Sequence, residues 1–208
     1  MKLHKLLSRG VSRAAQNMYR NRAVFRFRCA CAGGLRRYCA VVFTLKWGTA
    51  GMMVEFNSVS FSYTENGTGA VHDISFAIPE GQFVLVCGAS GCGKTTITRL
   101  INGLIPHFFS GNLSGSVRVA GRETSATPIA DISDTVGSVF QNPRTQFFNA
   151  DTDSEIVFGM ENRGMPVNDI LERLEAVTAE LNLQRLRCKN IFELSGGEKQ
   201  KIAFASAY

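Results

Sequence analysis

The chain has 208 residues, 45% hydrophobic and 19% charged, a balance that excludes a disordered chain and suits one domain with a real core. Its net charge of +6 is segregated: residues 1–51 hold eleven of the 23 basic residues and the first acidic residue is Glu55, so the body carries twelve basic against 17 acidic residues, a net of −5. No stretch approaches the ~20 apolar residues of a spanning helix, and Tyr38 to Leu45, the longest run of note, is too short.

The leader, residues 1–52, is Arg-rich and acid-free. Such a stretch suits nucleic acid, anionic lipid or a transit peptide. It is read as lying outside the working domain, because the globular pattern starts at Met52 or Met53. The six cysteines, Cys29, Cys31, Cys39, Cys87, Cys92 and Cys188, show no C-x-x-C spacing. They are expected to be unpaired in a reducing cytoplasm.

Val54 to Phe61 is β-branched and aromatic, a strand pattern. Glu65-Asn66-Gly67 signals a turn. Ile74 to Ile78 alternates and stops at Pro79-Glu80-Gly81. Phe83 to Val86 is apolar on both faces, which suits a central strand of a mostly parallel sheet. A glycine-rich loop and a helical pattern over Thr95–Leu104 follow, giving strand–loop–helix and an α/β fold. Strands are expected at Gly115–Val119 and Val136–Phe140. From Ser154 the pattern is helical, and Ile170, Leu174, Val177 and Leu181 form one apolar stripe, with Asn168 or Asp169 as cap after Pro166.

Gly88-Ala89-Ser90-Gly91-Cys92-Gly93-Lys94-Thr95 fits G-x-x-x-x-G-K-[ST], the phosphate-binding P-loop. Glycines let the backbone close round phosphates so that amide N–H groups point inward. The following helix adds its positive end, with Thr96 in the first turn. Lys94 can bridge the β- and γ-phosphates, and the Thr95 hydroxyl can meet Mg²⁺. Farther on, Leu194-Ser195-Gly196-Gly197-Glu198-Lys199-Gln200 contains Ser195-x-x-Glu198, a capping box. The Ser195 hydroxyl and the Gly196 and Gly197 amides would also make an anion site. Two phosphate-binding devices about a hundred residues apart need a common reason.

A P-loop followed by LSGG resembles the ATP-binding cassette (ABC) family, over about Val54 to Tyr208. The resemblance implies an α/β P-loop NTPase fold with an antiparallel β subdomain and a helical subdomain. The divisions are 53–141 for the β subdomain and P-loop core, 141–194 for the Q-loop and helical subdomain, and 195–208 for the start of the signature helix. It also implies two cassettes, identical or different, facing head to tail. ATP on one P-loop is then completed by Ser195, Gly196, Gly197 and Glu198 of the other. Tyr63 matches the aromatic that stacks on adenine, although it also reads as an ordinary strand aromatic. Gln141 matches the glutamine that contacts Mg²⁺ and the attacking water, although before Asn142-Pro143 it also reads as a turn residue.

Gln141 to Phe148, Phe158-Gly159-Met160-Glu161-Asn162 and Ile105 to Gly111 look like energy-coupling-factor ATPases, which power prokaryotic uptake of vitamins and of cobalt or nickel ions. Phe147 and Phe148 would then lie near the groove for a transmembrane subunit, or else fill the domain's own core. The implied function is an ATP-hydrolysing import subunit at the cytoplasmic face of a prokaryotic membrane, with ATP and Mg²⁺ as cofactors. The family's Mg²⁺-binding acid, catalytic glutamate and switch histidine should follow the signature, and the core sheet should continue there. No such segment precedes Tyr208, so the chain is expected to be a fragment, inactive alone. Two other function classes stay open: a non-catalytic nucleotide-binding remnant, and a soluble ABC ATPase not tied to transport. The acidic body argues against a nucleic-acid partner.

Overall fold

A computed structural model describes residues 51–63 and 71–208 in full and residues 27–29, 37–39 and 42–45 by their backbone. The turn read at Glu65-Asn66-Gly67 and most of the basic leader lie outside the described residues. The chain divides into two compact units, Met1–Val136 and Gly137–Tyr208.

In the first unit, β1 (Phe27–Cys29) pairs antiparallel with β2 (Arg37–Cys39), and β3 (Val42–Leu45) with the strand before the P-loop. The main sheet has four antiparallel strands in the order β5-β4-β7-β8, from β4 (Met52–Ser62), β5 (Val71–Pro79), β7 (Asn112–Val119) and β8 (Arg122–Glu123). β4 is central because its apolar residues can pair on both sides. Val54, Phe56, Val59 and Phe61 are buried, and Phe56 stacks on Phe76 of β5 with centroids 4.4 Å apart. The alternation slips at Asn57–Ser58, where the register with both neighbours shifts and Ser58 has φ 47°. Gly115 of β7 fits this bulge: its φ is 81°, and a Cβ there would run into the Ser58 and Asn57 carbonyls.

β6 (Phe83–Val86) pairs antiparallel with β3, which corrects the expectation of a strand covered on both faces in a parallel sheet. Val84 and Val86 pack against the first core, whereas Phe83 is 66% and Leu85 46% exposed. A two-stranded ribbon has one face against that core, and no described element covers the other. β6 feeds the loop 87–93 and then α1 (Lys94–Ile101), so strand–loop–helix holds. α1 ends three residues before the expected Leu104, at Asn102 and Gly103, whose φ is 74°. Ile97 and Leu100 anchor it in the core. The short α2 (Leu104–His107) and α3 (Ile129–Ser133) complete the unit.

The second unit is helical: α4 (Thr152–Asn162), α5 (Val167–Glu180) and α6 (Gly196–Ala207), with single 3₁₀ turns at Pro143–Thr145, Gln184–Leu186 and Ile191–Glu193. Ile170, Leu174 and Val177 form the expected stripe and meet Ile156, Ile191 and Ile202. The cap of α5 differs from expectation. Pro166 is the N-cap and makes no side-chain bond, while Asn168 and Asp169 fall inside the first turn, because the fixed φ of Pro166 already sets the helix entry. α4 is capped by Asp151, whose carboxylate accepts from Ser154 N at 2.9 Å. A hydrogen bond from the Ser154 side chain, with this backbone bond second, holds the Asp151 carboxyl below its ordinary pKa.

Val136–Phe140 is not a strand, which corrects the expectation. Its backbone is held by a side chain instead: Gln146 Oε1 accepts from Phe140 N at 3.0 Å, and Gln146 Nε2 donates to Ser138 O at 3.4 Å. Gly137 is required beside α6, because a Cβ would clash with the Ala207 carbonyl.

Candidate functional site

The P-loop sits between β6 and α1 as its motif demands. Gly91 and Gly93 have φ of 76° and 92°, a conformation that side chains disfavour. Gly93 is the N-cap of α1 and so offers no side chain to the first-turn amides. Those amides and the helix dipole form an uncapped positive end. The Lys94 ammonium folds back over the loop, donating to Gly88 O at 2.9 Å, Ala89 O at 2.8 Å and Cys92 Sγ at 3.3 Å. An arriving phosphate can exchange those neutral partners for charge-assisted bonds. Gly88, Ala89, Ser90, Gly91 and Thr95 are exposed, whereas Cys92 and Thr96 are buried. The Cys92 side chain is buried, which leaves its backbone as its means of meeting a phosphate.

Tyr63 reaches the same helix. Its hydroxyl lies 3.2 Å from Thr96 Oγ1 and accepts from Arg99 Nη1 at 3.1 Å. Tyr63 and residues 88–96 are therefore one assembly within the first unit. Arg99 had no sequence signal beyond being a basic residue in the last turn of α1.

Gln141, Ser195, Gly196, Gly197 and Glu198 belong to the second unit. Gln141 is exposed at the end of the segment 136–140. Ser195 caps α6, and the capping box is complete: Glu198 N donates to Ser195 Oγ at 3.4 Å and Ser195 N to Glu198 Oε2 at 2.9 Å. The Ser195 hydroxyl also donates to Glu198 Oε2 at 2.6 Å. These bonds, the side-chain one foremost, pull the Glu198 carboxyl below its ordinary pKa, and Lys189 and Arg185 add to the effect. Behind them sits Lys199, which the motif reading passed over. It is 4% exposed, and its ammonium donates to Phe192 O at 3.0 Å and Leu194 O at 2.8 Å. Phe147 packs against the helical core, while Phe148 is 78% exposed and stacks on Phe158 at 4.9 Å.

The fit to a nucleotide is chemical. An uncapped helix end, a mobile-headed lysine and a loop of amides suit a polyphosphate. Among the described residues no group of three His, Cys, Asp or Glu could hold a metal. Mg²⁺ bound with phosphates keeps waters and takes few protein ligands, so the Thr95 hydroxyl fits as one of them.

The family model described as ABC transporter matches residues 71–208. The chain belongs to that family. A Treponema denticola protein assigned as an ABC transporter ATP-binding protein is 63% identical over 156 residues, 75% of this chain and 32% of the relative. A similarly assigned Methanosarcina mazei protein is 38% identical over 151 residues, 73% of this chain and 26% of its own length. The chain thus spans about a third or less of the curated relatives it matches. Among solved structures, cbiO1 from Clostridium perfringens, described as part of the ABC transporter complex cbiONQ, superposes with a TM-score of 0.63 at 24% identity, covering 75% of this chain and 61% of that one. That likeness establishes the ABC cassette fold, mixed α/β with an antiparallel sheet. Among the described residues of this cassette no helix is long and apolar enough to cross a membrane.

Proposed function

We propose that residues 53–208 form part of an energy-coupling cassette of an ABC importer of the energy-coupling-factor type, working at the cytoplasmic face of a prokaryotic membrane. The observation that carries this is the presence of two helix-start anion sites in one chain, the uncapped α1 behind the P-loop and the Ser195-capped α6. One polyphosphate needs both only if two cassettes share it. In this reading ATP lies on the P-loop with Tyr63 under the base and Lys94 on the β- and γ-phosphates. Thr95 supplies an oxygen to Mg²⁺. Ser195, Gly196 and Gly197 of a second cassette, the same or a different chain, close over the γ-phosphate while Glu198 braces that turn through Ser195, and Gln141 orients water. Mg²⁺ when bound neutralises charge on the transferred phosphoryl group. The exposed Phe148 on Phe158 supports a membrane subunit as partner. The basic leader, 1–52, stands outside this machinery.

Association measured by analytical ultracentrifugation with Mg²⁺-ATP tests the reading. Wild-type chain is expected to associate on adding ATP. Lys94→Ala is expected to lose nucleotide binding, and Ser195→Ala to bind nucleotide normally yet associate less. Equal ATP-driven association in Ser195→Ala and wild type would sink the shared-site reading.

A further inference from the structure

Arg99 lies in the last turn of α1. It is five residues beyond Lys94, about 7.5 Å along the axis, and so sits away from the helix start that faces phosphate. Its guanidinium lies 3.9 Å from the centroid of Phe109 and 5.9 Å from that of Tyr63, and Nη1 donates to the Tyr63 hydroxyl. Thr96 and Arg99 are three residues apart and share one face of α1. The Tyr63 hydroxyl is therefore held at two points by the helix that presents the phosphate slot. Phe61 and Phe109 meet the Tyr63 ring edge-on, at 4.8 Å and 6.4 Å. Hydroxyl, ring edge and helix together fix where the aromatic surface stands relative to the P-loop. A planar cation stacked on one ring while hydrogen-bonded to the hydroxyl of another suits this task, because its geometry is pre-organised.

We propose that Arg99 is a positioning residue for nucleobase recognition: braced on Phe109, it holds Tyr63 against α1 and so sets affinity for a purine nucleotide without touching its phosphates. This rests on the reading that Tyr63 lies under the base. The test is calorimetric titration of the full chain with ATP and, separately, with inorganic tripolyphosphate, both with Mg²⁺. Tyr63→Ala loses about tenfold in ATP affinity, the scale of one aromatic–base stack. Arg99→Met and Tyr63→Phe each lose about three- to tenfold, and all three variants bind tripolyphosphate within about twofold of wild type. Arg99→Lys, which keeps a donor but not the planar stack, recovers part of the loss. If Arg99→Met binds ATP like wild type while Tyr63→Ala does not, the role of Arg99 is refuted and the base reading stands. If Tyr63→Ala binds ATP normally, the base reading itself fails. An equal loss of ATP and tripolyphosphate in Arg99→Met refutes the proposal in favour of general damage to α1.

Discussion

Replacing Lys199 with methionine would expose how the signature segment is kept in shape. Met matches the length of the lysine stem and removes the ammonium that holds the Phe192 and Leu194 carbonyls. Each charge-assisted bond is worth ~1.5–3 kcal/mol, so the two together set an upper bound of about 6 kcal/mol. Two effects reduce it. Burying an ammonium has its own desolvation cost, which the variant no longer bears. Phe192 is exposed, so water can reach its carbonyl, whereas Leu194 is 8% exposed and its carbonyl loses a buried partner. One stranded carbonyl costs ~1–3 kcal/mol, and about 2 kcal/mol is the net expectation. Amide exchange reads this locally, since a fall of that size in opening free energy speeds exchange about thirtyfold. The peptide spanning residues 191–199 is expected to show it, with ATP affinity at the chain's own P-loop unchanged. Exchange within about twofold of wild type across that peptide would refute the argument that Lys199 fixes the backbone leading into Ser195.

Two further perturbations test neighbouring parts. The Glu198 carboxyl is depressed chiefly by the Ser195 hydroxyl, so its contribution to the cap is present above the ordinary glutamate range and is lost as pH falls through the depressed folded value; protection at Ser195–Glu198, taken relative to the intrinsic exchange rate at each pH, should fall on acidification in wild type, but Glu198→Gln should show no such acid-dependent step. Glu155, buried at 3% exposure, accepts from Phe148 N at 3.0 Å and Asn149 N at 2.8 Å through one oxygen, so Glu155→Ala should destabilise the helical unit by ~2–4 kcal/mol while Glu155→Gln, which keeps an acceptor, should cost about 1 kcal/mol, as read by urea unfolding.

What was legible in the sequence had a local cause. β4 and β5 show in a two-residue period, the stripe of α5 in a helical one, and the capping box in a four-residue word. The P-loop announced its own strand and helix, because close approach to phosphate restricts the residues that can serve. The misses came where distant partners decide. The run at Phe83–Val86 gives no hint of which strand will pair with it. Val136–Phe140 has strand composition, yet the Gln146 side chain takes its backbone groups. Nothing in Ile97-Thr98-Arg99-Leu100 says that Arg99 will lie on Phe109 and bind Tyr63. Lys199 stands in a charged, outwardly polar stretch, and only the turn at Ile191–Glu193 makes a buried place for it.

The two helix starts have opposite electrostatics, and under the proposed function that difference sets the order in which they would meet phosphate. At the P-loop a cation leans on neutral carbonyls and the helix end has no side-chain cap, so a polyphosphate meets the helix start and an ammonium that gains by moving to it. At α6 the cap is already satisfied from within: Glu198 occupies the Ser195 amide and hydroxyl and brings a negative charge to the helix end. A phosphate arriving there alone must displace a carboxylate held by two bonds and face its charge. In that reading the P-loop binds first and unaided. The signature can engage only a phosphate that another surface holds in place, where the binding energy of the first site offsets the loss of the cap. In the proposed shared site, Glu198 is the residue that would make closure late.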